Sequence, residues 1–209
     1  CIEEMLELSG QGAKVIQIRA VEFANKYKVL VRVLSSFEPG SGTLILQEEN
    51  GMEDAVIRGI ASQTDQTKFT LHGVVDTPGI ASGILSPVSD AGIEVDVIVQ
   101  NVSVSNKTDF TFTVATTDRS EVETVLKEKM HGISYDELII DEEIGKVSLV
   151  GVGMRSHAGI ASTAFKALAD AGINIQMIST SEIKITIVIA QTQLEKAVII
   201  LHKAFNLGG

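Results

Sequence analysis

The sequence predicts an α+β protein of two ferredoxin-like βαββαβ units, the first inserted in the second, behind the tail of a larger domain. Three observations point there. Gly79 to Ile98 returns as Gly159 to Ile178 at a constant offset of 80, with nine identities in twenty positions, including the blocks GIAS and DAGI. Such internal similarity means one supersecondary unit used twice. Each copy then reads as strand, glycine-containing loop, helix, strand, strand, helix. Finally, the second copy stops without a fourth strand, while an unclaimed apolar run, Val56 to Ala61, precedes the first copy.

From the start of the chain, CIEEMLELSGQGAKVIQIRAVEFANKY has helical character, and Val29 to Leu34 (VLVRVL) suits a strand buried on both faces. The turn-rich EPGSG and a short strand from Thr43 to Leu46 follow. Two helices and two strands make an incomplete domain, so residues 1–46 are expected to be the tail of something larger, with a small independent subdomain as the alternative. The opening on Cys1 is expected to mark a fragment. Polar, acidic QEENGMED, residues 47–54, is the best linker.

The first unit is expected over 64–142. Phe69 onward forms its first strand, and Ile80, Ile84, Leu85 and Val88 recur at helical spacing. Pro87 removes a hydrogen bond to Gly83 and is expected to kink that helix. Phe110, Phe112 and Val114 alternate with Thr111 and Thr113 as a third strand, after a turn at Ser105 to Lys107. Asp118 and Glu121 have capping-box spacing, Val122, Val125, Leu126 and Met130 form a buried helix face, and Glu137 to Asp141 supplies the fourth strand.

The second unit is expected over 143–207 completed by 55–63. Val147, Leu149 and Val150 begin it. Ile160, Ala164, Phe165, Leu168 and Ala171 then fall at helical spacing, and Gly172 suits a left-handed helix end. Ile173, Ile175 and Met177 alternate with Asn174, Gln176 and Ile178. Ile183, Ile185, Ile187 and Ile189 form the third strand, Thr192 and Glu195 a second capping box, and Ala197, Val198, Leu201 and Phe205 the last inward face. An inner strand left without a neighbour is a liability. Val56 to Ala61 can fill that edge, which inserts the first unit in the second; the alternative is a mere connecting strand.

Composition narrows the classes. The 209 residues, 44% hydrophobic, suffice for one or two cores. No apolar run approaches membrane-spanning length, so no membrane partner is expected. A lone cysteine and no recognisable signal peptide make a reducing cytoplasm the expected compartment. A net charge of -10 argues against nucleic acid.

Chemistry is expected in the loops before the first helix of each unit. VVDTPGIAS and VGMRSHAGIAS both reach a helix start through a glycine, Gly79 and Gly159, where free N–H groups and the helix dipole favour a carboxylate. Asp76 could meet an ammonium group, and Gln100, Asn101, Thr180 and Ser181 end the second strands nearby. Together these describe a site for a free α-amino acid. Each has a plainer use: the glycines as caps, Asp76 as a turn residue before Thr77 and Pro78, His157 with Arg155 as solvated loop residues. Asn174 is conspicuous because polar residues are depleted in strands. No metal cluster, phosphate-binding glycine loop or nucleophile–histidine pair is present in the sequence. The chain is expected to be non-catalytic, without catalytic residues, metal or cofactor of its own.

These residues resemble a known family. GAKVIQIRAVEFANKY with RVLSSF and GSGTLI is similar to the end of the catalytic domain of aspartate kinase, an α/β amino-acid kinase. VDTPGIA, VDVIVQNVS, TDFTFTV, KVSLVGVGMRSHAGIA, INIQMISTSEIKI and ILHKAF resemble its tandem regulatory ACT domains. The resemblance implies a parent that phosphorylates the β-carboxylate of aspartate with ATP and Mg, feedback-inhibited by threonine, lysine or both. It implies a homodimer formed through ACT domains, partnered by the catalytic domain or subunit. By position, effector contacts fall on Asp76, Gly79, Ile80, Ala81, Gln100 and Asn101 in one unit and on Met154, His157, Gly159, Ile160, Asn174, Ile175, Thr180 and Ser181 in the other. Two rivals stand beside it: an RNA-binding sheet, which would need exposed aromatics, and a ligand-independent ACT dimerisation module.

Overall fold

The computed structural model describes residues 1–47, 56–102, 106–130, 132–155 and 159–207. The chain divides into two compact units, Thr64–Gly145 and, discontinuously, Cys1–Gln63 with Lys146–Gly209.

The discontinuous unit begins with two helices, α1 (Ile2–Gly10) and α2 (Ile18–Tyr27), and a small ribbon of β1 (Val31–Val33) and β2 (Thr43–Ile45). Ile2, Val21 and Ile45 form its own apolar nucleus. Here the expectation of a strand buried on both faces is corrected. Only Val31 to Val33 pairs, with β2 as its partner, and Val29, Leu30 and Leu34 are exposed. A two-stranded ribbon has too little covering structure to bury both faces. The linker expected over 47–54 lies, apart from Gln47, outside the described residues. Strand β3 follows at Gly59–Gln63, starting three residues later than the apolar run from which it was expected.

The continuous unit contains β4 (Gln66–Val75), α3 (Ile80–Asp90), β5 (Val95–Val102), β6 (Lys107–Ala115), α4 (Arg119–Lys129) and β7 (Glu137–Asp141). Its sheet has the order β5-β6-β4-β7, antiparallel throughout. Phe69, Leu71, Phe110, Phe112 and Val114 meet Ile84, Val88, Val122 and Leu126 beneath the two helices, and Phe69 stacks on Phe112 at 5.4 Å. Helix α3 continues through Pro87 to Asp90 as one element.

The chain then returns to the discontinuous unit as β8 (Ile144–Val150), α5 (Ile160–Asp170), β9 (Ile175–Thr180), β10 (Lys184–Ala190) and α6 (Leu194–Ala204). Its sheet order is β3-β8-β10-β9, with β3 antiparallel to β8 and Ala61 opposite Ser148. β3 therefore holds the place that β7 holds in the other unit. The first unit interrupts the second, and a strand from before the interruption completes the sheet. Ile57, just ahead of β3, is buried with Val147, Leu149, Leu168, Ile187 and Leu201 in the common core.

The helix ends repeat as the sequence does. Gly92 and Gly172 take positive φ after α3 and α5. The N–H of Ile93 donates to Val88 O, and that of Ile173 to Leu168 O at 2.9 Å, closing the same Schellman turn twice. Neither expected capping box forms. Asp118 ends a 3-10 turn (Thr116–Asp118) in αR geometry, φ -94, rather than the extended geometry a capping side chain needs. Thr192 is likewise inside a 3-10 turn (Gln191–Gln193), and Gln193 is the N-cap residue.

Candidate functional site

Both units build the same corner. Gly79 and Gly159 are the N-cap residues of α3 and α5, each with φ 93. No atom lies within 4 Å of a Cβ added at either, so backbone conformation and not crowding calls for glycine. A glycine N-cap supplies no side-chain acceptor, and the first-turn N–H groups of α3 and α5 gain no bond from it. Such groups, at the positive end of the helix dipole, suit an anionic oxygen.

A repeated irregularity brings the edge strand into this corner. β5 changes register against β6 between Val95 and Ile98, and β9 changes against β10 between Ile175 and Met177. Before the shift, Val95 opposes Val114; after it, Ile98 opposes Phe112 and Gln100 opposes Phe110. One extra residue has reversed the parity of the strand, because side chains alternate with period two. Gln100 thus lies on the same sheet face as Val95, which strict alternation would forbid. Thr180 opposes the core residue Ile185 by the same device. The alternation of Ile173, Ile175 and Met177 expected from sequence therefore holds only up to the shift.

Two open pockets result. One, of about 470 Å³, is lined by Asp76, Thr77, Pro78, Gly79, Ile80, Ala81 and Gln100. The other, of about 500 Å³, is lined by Met154, Gly159, Ile160, Ala161, Thr180, Ser181, Glu182 and Ile185. Gly79, Ile80, Ala81 and Gln100 correspond to Gly159, Ile160, Ala161 and Thr180 at the offset of 80, so the site is repeated along with the fold. In each, helix N–H groups can take a carboxylate, and an acidic side chain, half-buried Asp76 or exposed Glu182, can take an ammonium group.

The remaining expected residues lie elsewhere or beyond description. Asn101 follows Gln100 on β5, on the other sheet face, and its carbonyl accepts from Thr108 Oγ1. Asn174 is exposed and precedes β9, and Ile175 opens that strand. Five residues of strand, about 17 Å, separate Ile175 from Thr180, so Asn174 and Ile175 do not share a pocket with Thr180 in this unit. His157 lies outside the described residues. Thr77, Pro78, Glu182 and Ile185 were not anticipated as pocket linings.

Other chemistry finds little support. Phe69, Phe110 and Phe112 are fully buried, leaving no aromatic platform there for bases. Among the described residues no group of three His, Cys, Asp or Glu side chains could hold a metal, and no helix is long and apolar enough to cross a membrane.

Comparison with known proteins identifies the class first. Two family models, each described as an ACT domain, match residues 70–129 and 147–205. The two βαββαβ units are a tandem pair of ACT domains. An aspartate kinase of Pseudomonas fluorescens (strain SBW25) is 57% identical over 206 residues, covering 98% of this chain and 50% of that protein. In a crystal structure of aspartokinase alpha and beta subunits, one chain is 47% identical with a TM-score of 0.68, covering 72% of this chain and 99% of its own. The ligand-free regulatory subunit of aspartate kinase from Thermus thermophilus is 35% identical with a TM-score of 0.68, with coverage of 72% and 99%. The chain belongs to the aspartokinase family. It spans about half the length of the curated aspartate kinases it matches.

Proposed function

We propose that this regulatory ACT region senses threonine, lysine or both, and transmits feedback inhibition to an aspartate kinase that phosphorylates the aspartate β-carboxylate with ATP. The observation that carries the reading is the repeated corner: two pockets at equivalent places, each joining open helix N–H groups to an acidic side chain and a polar strand end. That combination complements the two charges of a free α-amino acid. The apolar linings, Ile80 in one and Met154, Ile160 and Ile185 in the other, suit the aliphatic part of a side chain.

In this reading ATP is a substrate and Mg²⁺ a cofactor of the parent kinase, both bound by its catalytic domain. The ACT region pairs with a second copy. Ile98 and Ile178, on the edge strands β5 and β9, are 48% and 41% exposed and supply apolar surface for that pairing. In this reading residues 1–46 are the C-terminal remnant of the catalytic domain, and residues 47–54 link it to the two ACT domains.

Inhibition is a population shift: effector contacts favour an arrangement in which the catalytic domains are inactive, and coupling of about 1–3 kcal/mol is sufficient. Replacing Asp76, Gln100 or Ser181 in the full kinase is expected to relieve inhibition while uninhibited turnover stays intact. Loss of basal turnover in all three would overturn a purely regulatory role. A dimer that forms equally well with and without amino acids, and binds none, would leave a ligand-independent dimerisation module in its place.

A further inference from the structure

The back of the β3-β8-β10-β9 sheet is covered by α1, where Leu8 packs on Gly59 and polar side chains line the rest of the contact. Glu4, Glu7 and Gln11 follow the i, i+3, i+7 spacing of one helix face. Gln11 Oε1 accepts from Ser148 Oγ at 2.9 Å, and Ser148 Oγ is itself 2.9 Å from Thr186 Oγ1. Both hydroxyls are buried, so α1 is seated on the sheet by a satisfied polar network.

The other two residues of the face reach the walls of the pocket lined by Met154 and Thr180. Glu4 is 3% exposed. Its Oε1 accepts the N–H of Val152 at 3.0 Å, with Arg58 Nε at 3.9 Å, while Oε2 holds the Cys1 nitrogen. Val152 opens the 3-10 turn Val152–Arg155 that carries Met154. Glu7 Oε2 lies 3.0 Å from Lys184 Nζ, and Lys184 O accepts the N–H of Ser181 at 2.8 Å. That bond closes the hairpin carrying Thr180, Ser181 and Glu182. The two walls also meet directly, Gly151 N–H donating to Ile183 O at 3.0 Å. One turn of α1 thus holds the loop wall with Glu4 and the hairpin wall with Glu7.

We infer that α1 is the element through which occupancy of this pocket is felt by the amino-terminal segment, with Glu4 and Glu7 as positioning residues that tie its two walls to one rigid helix. The inference rests on the effector-binding reading above. If the walls close on an amino acid, both anchors move, and α1 either follows or loses a bond. Burial makes the Glu4 anchor costly to break, since the Val152 N–H and a carboxylate would both be left without a partner.

The test uses the whole chain and backbone amide exchange. Saturating threonine or lysine is expected to slow exchange over residues 2–10 together with the walls, residues 151–155 and 180–184. Glu7→Gln, half-way to the surface and able to fold, is expected to keep wall protection, lose the ligand-induced protection of α1 and weaken binding roughly five- to 150-fold, the span of typical coupled sites. Ligand protection of the walls with unchanged exchange in α1, or a Glu7→Gln chain that behaves as the parent, would overturn the inference. If neither amino acid binds, the effector reading fails, and the anchors are judged from ligand-free exchange. Glu4→Met and Glu7→Gln are then expected to speed exchange at Val152 and at Ser181 respectively, and unchanged rates in both would sink the anchoring role.

Discussion

Ile57 precedes by some ninety residues the strand it helps to bury, so Ile57→Ala tests the inserted topology at a single position. The side chain is 3% exposed and packs with Val147, Leu149 and Leu168. Truncation removes three carbons, about 2.4 kcal/mol at ~0.8 kcal/mol each, before any cavity left behind is counted. Partial collapse places the total at about 3–4 kcal/mol, within the range of such core deletions. With a urea dependence of about 2 kcal/mol per molar, the unfolding midpoint of the discontinuous unit should fall by roughly 1.5–2 M. Amide exchange locates the damage. β8, β10, α5 and α6 should lose protection while β4, β6 and α3 keep theirs. Loss confined to Thr64–Gly145, or a change below about 1 kcal/mol, which would match a surface site, would refute the completion of the sheet by β3.

Other outcomes follow from single residues. Gly151→Ala places a Cβ 2.3 Å from Val56 O and 2.9 Å from Ile57 Cα, backbone atoms that cannot swing away, and should cost about 1–3 kcal/mol in a thermal melt. Gly79→Ala meets no atom but takes φ 93, so its cost is conformational, about 1–2 kcal/mol, and the same melt checks it. Gln100→Ala should weaken amino-acid binding at the first pocket about tenfold, the loss of one hydrogen bond to a charged group, with the melting temperature unchanged. The hydrogen bond from Lys127 holds the Glu123 carboxyl below its ordinary value, with Arg119 assisting and desolvation opposing. A lowered carboxyl contributes stability above its unfolded value and loses it as pH falls through the folded one. A carboxyl NMR titration should therefore show Glu123 protonating late in acid, and Lys127→Met should move its midpoint upward.

Much of this fold is readable in the repeat. Nine matched residues at one offset place both helices and both Schellman ends, and the missing fourth strand leads to β3. The register shifts in β5 and β9 are less accessible. Val95 to Gln100 contains no glycine or proline to mark an extra residue, and the shift is decided by how the strand meets β6. Its effect is large, because it turns Ile98 with Gln100, and Ile178 with Thr180, to the sheet face that carries the helices. Met177 shows the same limit from the other side, since alternation assigns it to the face of Ile175 and the shift removes it. Glu4 and Glu7 read as ordinary acidic residues of an amphipathic helix. Only the docking of α1 across the sheet, a contact 148 residues apart in sequence between Glu4 and Val152, gives them a role.

The most direct test of the central claim is a calorimetric titration of this chain with threonine, with lysine, and with each in the presence of the other, leucine serving as control. Saturable heat with threonine or lysine, abolished or strongly weakened by Gln100→Ala or by a Ser181 substitution, is the predicted result and would name the ligand of each pocket. Absence of heat with every amino acid, in a chain whose dimer and melting temperature do not respond to them, would contradict an effector-sensing role for these two corners.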